Sequence, residues 1–190
     1  MKLSKILGLA AVSLIVLMAV AATASATTLT SPSGTTYTST IKAEASSTVS
    51  MTSAFGGFGT ISCKKSTIEM KVEQHGAGKT ALGNISALTF GECSNPVTVI
   101  VRGVEEWHYV NSSLITVTLR NTTIETHETL TGTCLWKAPS TGVHAGEITL
   151  GATPKTHLDV TLDSEGGFCG PALFEAEYKI VTPTTLFADA

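Results

Sequence analysis

The segment Ser66 to Glu73 reads STIEMKVE, and its strict alternation fits an extended backbone rather than a helix. Ile68, Met70 and Val72 share one side only if the side chains repeat every two residues, and Glu69, Lys71 and Glu73 then take the other. FEAEYKI repeats the arrangement, with Phe174, Ala176, Tyr178 and Ile180 on the apolar face and Glu175, Glu177 and Lys179 on the polar one. One dry and one wet face mark an antiparallel sheet. The runs Thr36 to Ala45, Val97 to Val101, Leu114 to Leu119 and His157 to Leu162 have the same Thr-rich, β-branched texture. Turn-forming clusters separate these runs, among them Pro32-Ser33-Gly34, Phe55-Gly56-Gly57, Gly76-Ala77-Gly78, Ser94-Asn95-Pro96, Asn111-Ser112-Ser113, Pro139 to Gly142 and Ser164 to Gly167. The expected fold is all-β: an antiparallel β-sandwich or a jelly-roll-like barrel.

Ahead of this lies MKLSKILGLAAVSLIVLMAVAATASATT. Lys2 and Lys5 precede an apolar run from Ile6 to Ala22, and Ala24-Ser25-Ala26 follows it, which is the layout of a secretory signal peptide cut after Ala26. The run is about as long as the shortest bilayer spans, roughly 17 residues, so an uncleaved anchor in an envelope protein is the rival reading. Cleavage would leave residues 27–190 as a single β domain with no membrane span, secreted or held at the cell surface. A division into two cystine-closed halves near 101–106 is the alternative organisation. Lys2 and Lys5 leave with the leader, so 12 basic residues become 10 against 15 acidic ones, a net charge of −5. Such a balance gives no counterion-release drive toward nucleic acid.

Cys63, Cys93, Cys134 and Cys169 all follow the leader, and an even count in an exported chain argues for two disulfides. Three pairings exist. Cys63 with Cys93 and Cys134 with Cys169 are favoured because each closes a local run of strands. No C-x-x-C occurs, which argues against zinc or thiol redox chemistry. The glycine-rich FGGFG at 55–59 leads into an alternating strand rather than a helix with a G-K-[ST] ending, so it is a turn or bulge and not a phosphate cradle.

Candidate chemistry is sparse. In VEEWHYV, Trp107 and Tyr109 share a strand face beside Glu105 and Glu106, a pattern suited to stacking on sugars while carboxylates accept hydroxyl hydrogen bonds; the competing reading buries both rings in the core. Glu125 and His127 share a face and are weak metal candidates, although H-E-x-x-H is absent. Asp163 and Glu165 offer oxygens for calcium without EF-hand spacing. A hydrolytic triad would have to combine His127, His144 or His157 with Asp159 or Asp163 in three dimensions, since no G-x-S-x-G elbow exists. His75 and His108 complete the histidines. Asn84, Asn111 and Asn121 head N-x-S/T sequons that matter only in a eukaryotic secretory pathway.

Together these features point to an exported, non-catalytic binding or structural module. Its partner would be carbohydrate or another surface protein, and no cofactor is called for. The alternative is a secreted hydrolase or metal-dependent enzyme whose site assembles only on folding.

Overall fold

The computed structural model describes residues 27–54, 59–74, 81–101, 103–128, 132–165 and 169–189. Residues 1–26, His75, the glycine-rich stretches at 55–57 and 76–78 that were expected to turn, and Gly166-Gly167 lie outside the described residues. The first half of the chain supplies β1 (Thr28–Thr30), β2 (Thr40–Ala45), β3 (Val49–Ser53), β4 (Thr60–Glu73), β5 (Ala81–Cys93), β6 (Val97–Val101) and β7 (Val104–Asn111). The second supplies β8 (Leu114–Arg120), β9 (Thr123–Glu128), β10 (Gly132–Lys137), β11 (Val143–Thr149), β12 (Lys155–Glu165), β13 (Ala172–Thr182) and β14 (Phe187–Asp189).

Eight staves close a barrel. β2 and β3 lie end to end as one interrupted stave, because both pair antiparallel with β4 on one side and with β13 on the other. From β4 the order runs β5, β7, β8, β11, β12 and β13, each antiparallel to its neighbour. The all-β antiparallel expectation therefore stands, while its finer form is corrected. Successive staves are neighbours all the way round, unlike two stacked sheets or the crossed connections of a jelly roll. Alternation assigns faces to strands, and it carries no information on whether the last strand returns to the first. Staves from before and after 101–106 are hydrogen-bonded neighbours in this barrel, β5 with β7.

Inward faces follow the alternation read from sequence. Ile68, Met70 and Val72 on β4, and Phe174, Ala176, Tyr178 and Ile180 on β13, are all buried. One phase change was not legible: Lys64 and Lys65 are both exposed, so the buried positions shift from Ile61 and Cys63 to Ser66 and Ile68. Large and small side chains share the interior. Trp107 is wholly buried, and its ring occupies the room left by Gly83, where a Cβ would overlap the indole. Gly83→Ala should therefore destabilise the barrel by about 1–3 kcal/mol through overpacking, read as a lowered urea midpoint at unchanged slope. An unshifted midpoint would mean that the indole has slack.

Both ends are covered. At the base, β1 and β14 form a two-stranded ribbon that buries Leu29, Leu186 and Ala188, and Thr27 Oγ1 accepts a hydrogen bond from the Tyr109 amide at 2.6 Å. At the other end, β12 runs past its barrel partners and pairs through Leu135↔Glu165 to Lys137↔Asp163 with β10, followed by β9 and then β6. These three strands make a lid. Val97, Ile124, Cys134 and Trp136 lie on its buried or half-buried face, with Val97 lining a small cavity beside Met51, Ile61, Phe90 and Phe174. The disulfides pair as expected, Cys63 with Cys93 and Cys134 with Cys169. The first joins β4 to the end of β5 and the second ties the lid strand β10 to the chain just before β13, where Trp136 Nε1 donates to the Gly170 carbonyl at 3.1 Å.

Candidate functional site

Alternation placed Glu105, Trp107 and Tyr109 on one face, and that face turns inward. Trp107 is 0% and Glu105 1% exposed, and Tyr109 is half-buried against the core, so the proposed sugar-stacking surface does not exist on the outside. Stacking on sugars asked for an exposed face with the Glu105 carboxylate beside the rings. Instead, the barrel encloses that carboxylate: Trp107 Nε1 donates to Glu105 Oε2 at 3.0 Å. Burial pushes the Glu105 carboxyl up to about 7, with the indole hydrogen bond acting in the opposite direction. Tyr178 lies in the same interior, its phenol 2.9 Å from Ser66 Oγ. Burial raises its pKa, the Ser66 hydrogen bond lowers it and the Glu105 charge raises it further.

Glu106, one residue along, points outward. Its Oε2 takes Arg120 Nη2 at 2.8 Å, with His108 Nε2 at 4.0 Å, and the Thr118 hydroxyl lies 3.3 Å from that same His108 nitrogen. This is a partly buried polar cluster on β7 and β8, without a platform for a ring.

Glu125 and His127 do meet, Oε1 to Nε2 at 2.5 Å, but Thr133 Oγ1 lies 3.0 Å from His127 Nδ1 and no third ligand joins them among the described residues. Among the described residues no group of three or more His, Cys, Asp or Glu could hold a metal. Nor do Asp163 and Glu165 form a calcium site: Lys137 is the register partner of Asp163, and its ammonium bonds Glu165 Oε1 at 2.9 Å. A lysine stands where the cation would. Of the triad candidates, His157 and Asp159 lie two residues apart on the exposed face of β12, opposite Glu177 and Glu175, and His144 is the register partner of Thr118; among the described residues no hydrogen bond or ion pair joins either histidine to Asp159 or Asp163.

What sequence reading missed is a polar groove where the β2–β3 stave is interrupted. On one side a hollow of about 240 Å³ is lined by Ser47, Thr48, His157, Glu175 and Glu177. It adjoins another of about 200 Å³ lined by Ser46, Thr149, Lys155, His157 and Glu177. His157 Nδ1 lies 3.8 Å from Glu177 Oε1, and the Ser46 hydroxyl donates to the Glu177 carbonyl at 3.3 Å. The signal available in sequence was weak: Ser46-Ser47-Thr48 looks like any other hydroxyl-rich stretch of this chain.

The fold and this surface define a disulfide-clamped, lidded antiparallel β-barrel. No protein-family model matches the chain, and neither the curated proteins nor the solved structures contain a match.

Proposed function

We propose that the protein is an exported, non-catalytic binding module that takes a hydroxyl-rich ligand, a carbohydrate, in the groove at the β2–β3 interruption. The carrying observation is the lining: a larger outer hollow of about 310 Å³ beside Lys179 has no carboxylate or imidazole in its wall, whereas the hollows at the interruption have both. The apolar cavity beneath the lid holds about 10 Å³, room for one water, whereas the adjoining outer hollows hold about 240 and 200 Å³. Serine and threonine hydroxyls, two carboxylates, an imidazole and an ammonium supply both donors and acceptors for sugar hydroxyls. Export is supported by the leader-like N-terminus and by two disulfides, which persist in oxidising compartments.

The test is a glycan array probed with the wild type and with the double variant His157→Ala/Glu177→Ala. Selective retention that disappears in the variant is expected. Retention unaffected by the variant, or no retention at all, would move the function away from this groove and toward a purely structural role.

The same groove supports a second reading as a secreted hydrolase, because a histidine–carboxylate pair sits beside Ser47. His157 and Glu177 are 63% and 58% exposed, so the pair is not held as a preorganised base. Ester hydrolysis by the wild type at the rate of Ser47→Ala and of buffer is expected. A rate that falls on substitution of Ser47 would favour the enzyme instead.

A further inference from the structure

Thr27 is where the leader joins the barrel, and it is fixed there. Its hydroxyl is bonded to the Tyr109 amide, and the strand that begins at the next residue is zipped to β14. The apolar run of the leader ends at Ala22, which leaves four residues before Thr27. Four extended residues reach about 14 Å at most. A leader seated in a bilayer therefore holds the base of the barrel at the headgroups.

The base has features that suit such a neighbour. Two of the large apolar side chains on the outside are here: Val110 is 48% exposed where β7 turns toward β8, and Phe187 is 37% exposed on β14; Ile100, 51% exposed, is on the lid. Lys155 and Lys179 are direct register partners at the basal end of β12 and β13, an arrangement of like charges that costs stability in a sheet. Among the described residues neither has a carboxylate within ion-pair distance, although Glu44 is the register partner of Lys179 on its other side. Beside Lys179 a groove of about 310 Å³ is lined by Ile180, Val181 and Thr184. Glu177 lines the same hollow as Lys155, so the fold offsets part of this repulsion, and an external anion would relieve the rest.

We propose that the base of the barrel is a lipid-facing surface in the leader-bearing chain, with Lys155 and Lys179 on anionic headgroup phosphates and Val110 and Phe187 at the acyl boundary. The proposal rests on the reading of residues 1–26 as a membrane-inserting leader. Cutting after Ala26 would remove the tether and leave only the weak basal attraction, so the same surface would release the mature barrel.

The experiment uses the full chain reconstituted in phosphatidylcholine vesicles with and without phosphatidylglycerol, read by deuterium exchange. Near an anionic surface each lysine contributes about fivefold. The amides of the 108–116 hairpin should exchange at least about tenfold more slowly in the phosphatidylglycerol vesicles. Lys155→Glu/Lys179→Glu should abolish that difference at unchanged Tm, and Val110→Ser/Phe187→Ser should weaken protection in both lipids. A vesicle-bound chain whose 108–116 amides exchange equally in both lipids, or whose protection survives the lysine variant, overturns the lipid-facing base alone. A chain that fails to float with either vesicle overturns the leader reading as well.

Discussion

Replacing Glu105 with glutamine is expected to stabilise the barrel by about 3 kcal/mol at pH 8 and to leave it unchanged at pH 4. The carboxyl is raised from an ordinary value of 4.5 to about 7 by burial, so the folded state binds the proton more tightly than the unfolded chain does. Stability from this group is complete below about 4.5, declines as pH rises, and is gone above about 7, where a charge must be kept inside the barrel. Glutamine retains an oxygen to accept the Trp107 N–H and never ionises. Urea unfolding of the two proteins at pH 4, 6 and 8 checks this, with the difference opening across that window. A difference that stays flat with pH would show that Glu105 reaches solvent or a compensating cation.

The second large effect is expected from the bridge that clamps the lid. Cys134→Ala/Cys169→Ala opens a loop spanning a sequence separation of 35, which in the chain-entropy model lowers stability by roughly 4 kcal/mol. Its signature should also be local. β9 and β10 reach the barrel through three register pairs with β12, so lid amides should exchange faster than those of β4 and β13 in the same molecule. Cys63→Ala/Cys93→Ala has a comparable entropic cost over a separation of 30. It should not loosen its surroundings selectively, since β4 and β5 stay paired from Lys65↔Gly91 to Glu73↔Leu82. Equal exchange across lid and barrel in the first variant would show the two to be one cooperative unit.

Much of the fold was legible because period two is a local property. STIEMKVE and FEAEYKI are staves with the predicted faces inward, and both cystines pair as their spacing suggested. Other features depend on distant partners. β6, β9 and β10 have the same texture as the staves, yet they leave the barrel to build a lid, a choice made by the continuation of β12 beyond its β13 pairing. The face carrying Trp107 stayed open between sugar-stacking and core, because a glutamate in the alternation argues for water unless an enclosed indole offers it a donor. The groove at Ser46–Thr48 was invisible for a further reason: it arises from a gap between two strands that only their shared neighbours reveal as one stave.

That interrupted stave has a consequence for how the molecule comes into being. Its second edge is supplied by β13, and the Ser46 hydroxyl finds its acceptor at Glu177, 131 positions later. In a chain delivered N-terminus first, the opening stave waits half-paired until almost everything else has arrived. Contacts this distant make for slow assembly, and an unpaired edge invites pairing with other chains in the interval. Lys42 and Glu44, outward on β2, put charge on that waiting edge and discourage such encounters. The ring is thus shut by its oldest and youngest segments, and delivery of the last stave sets the earliest moment at which it can exist.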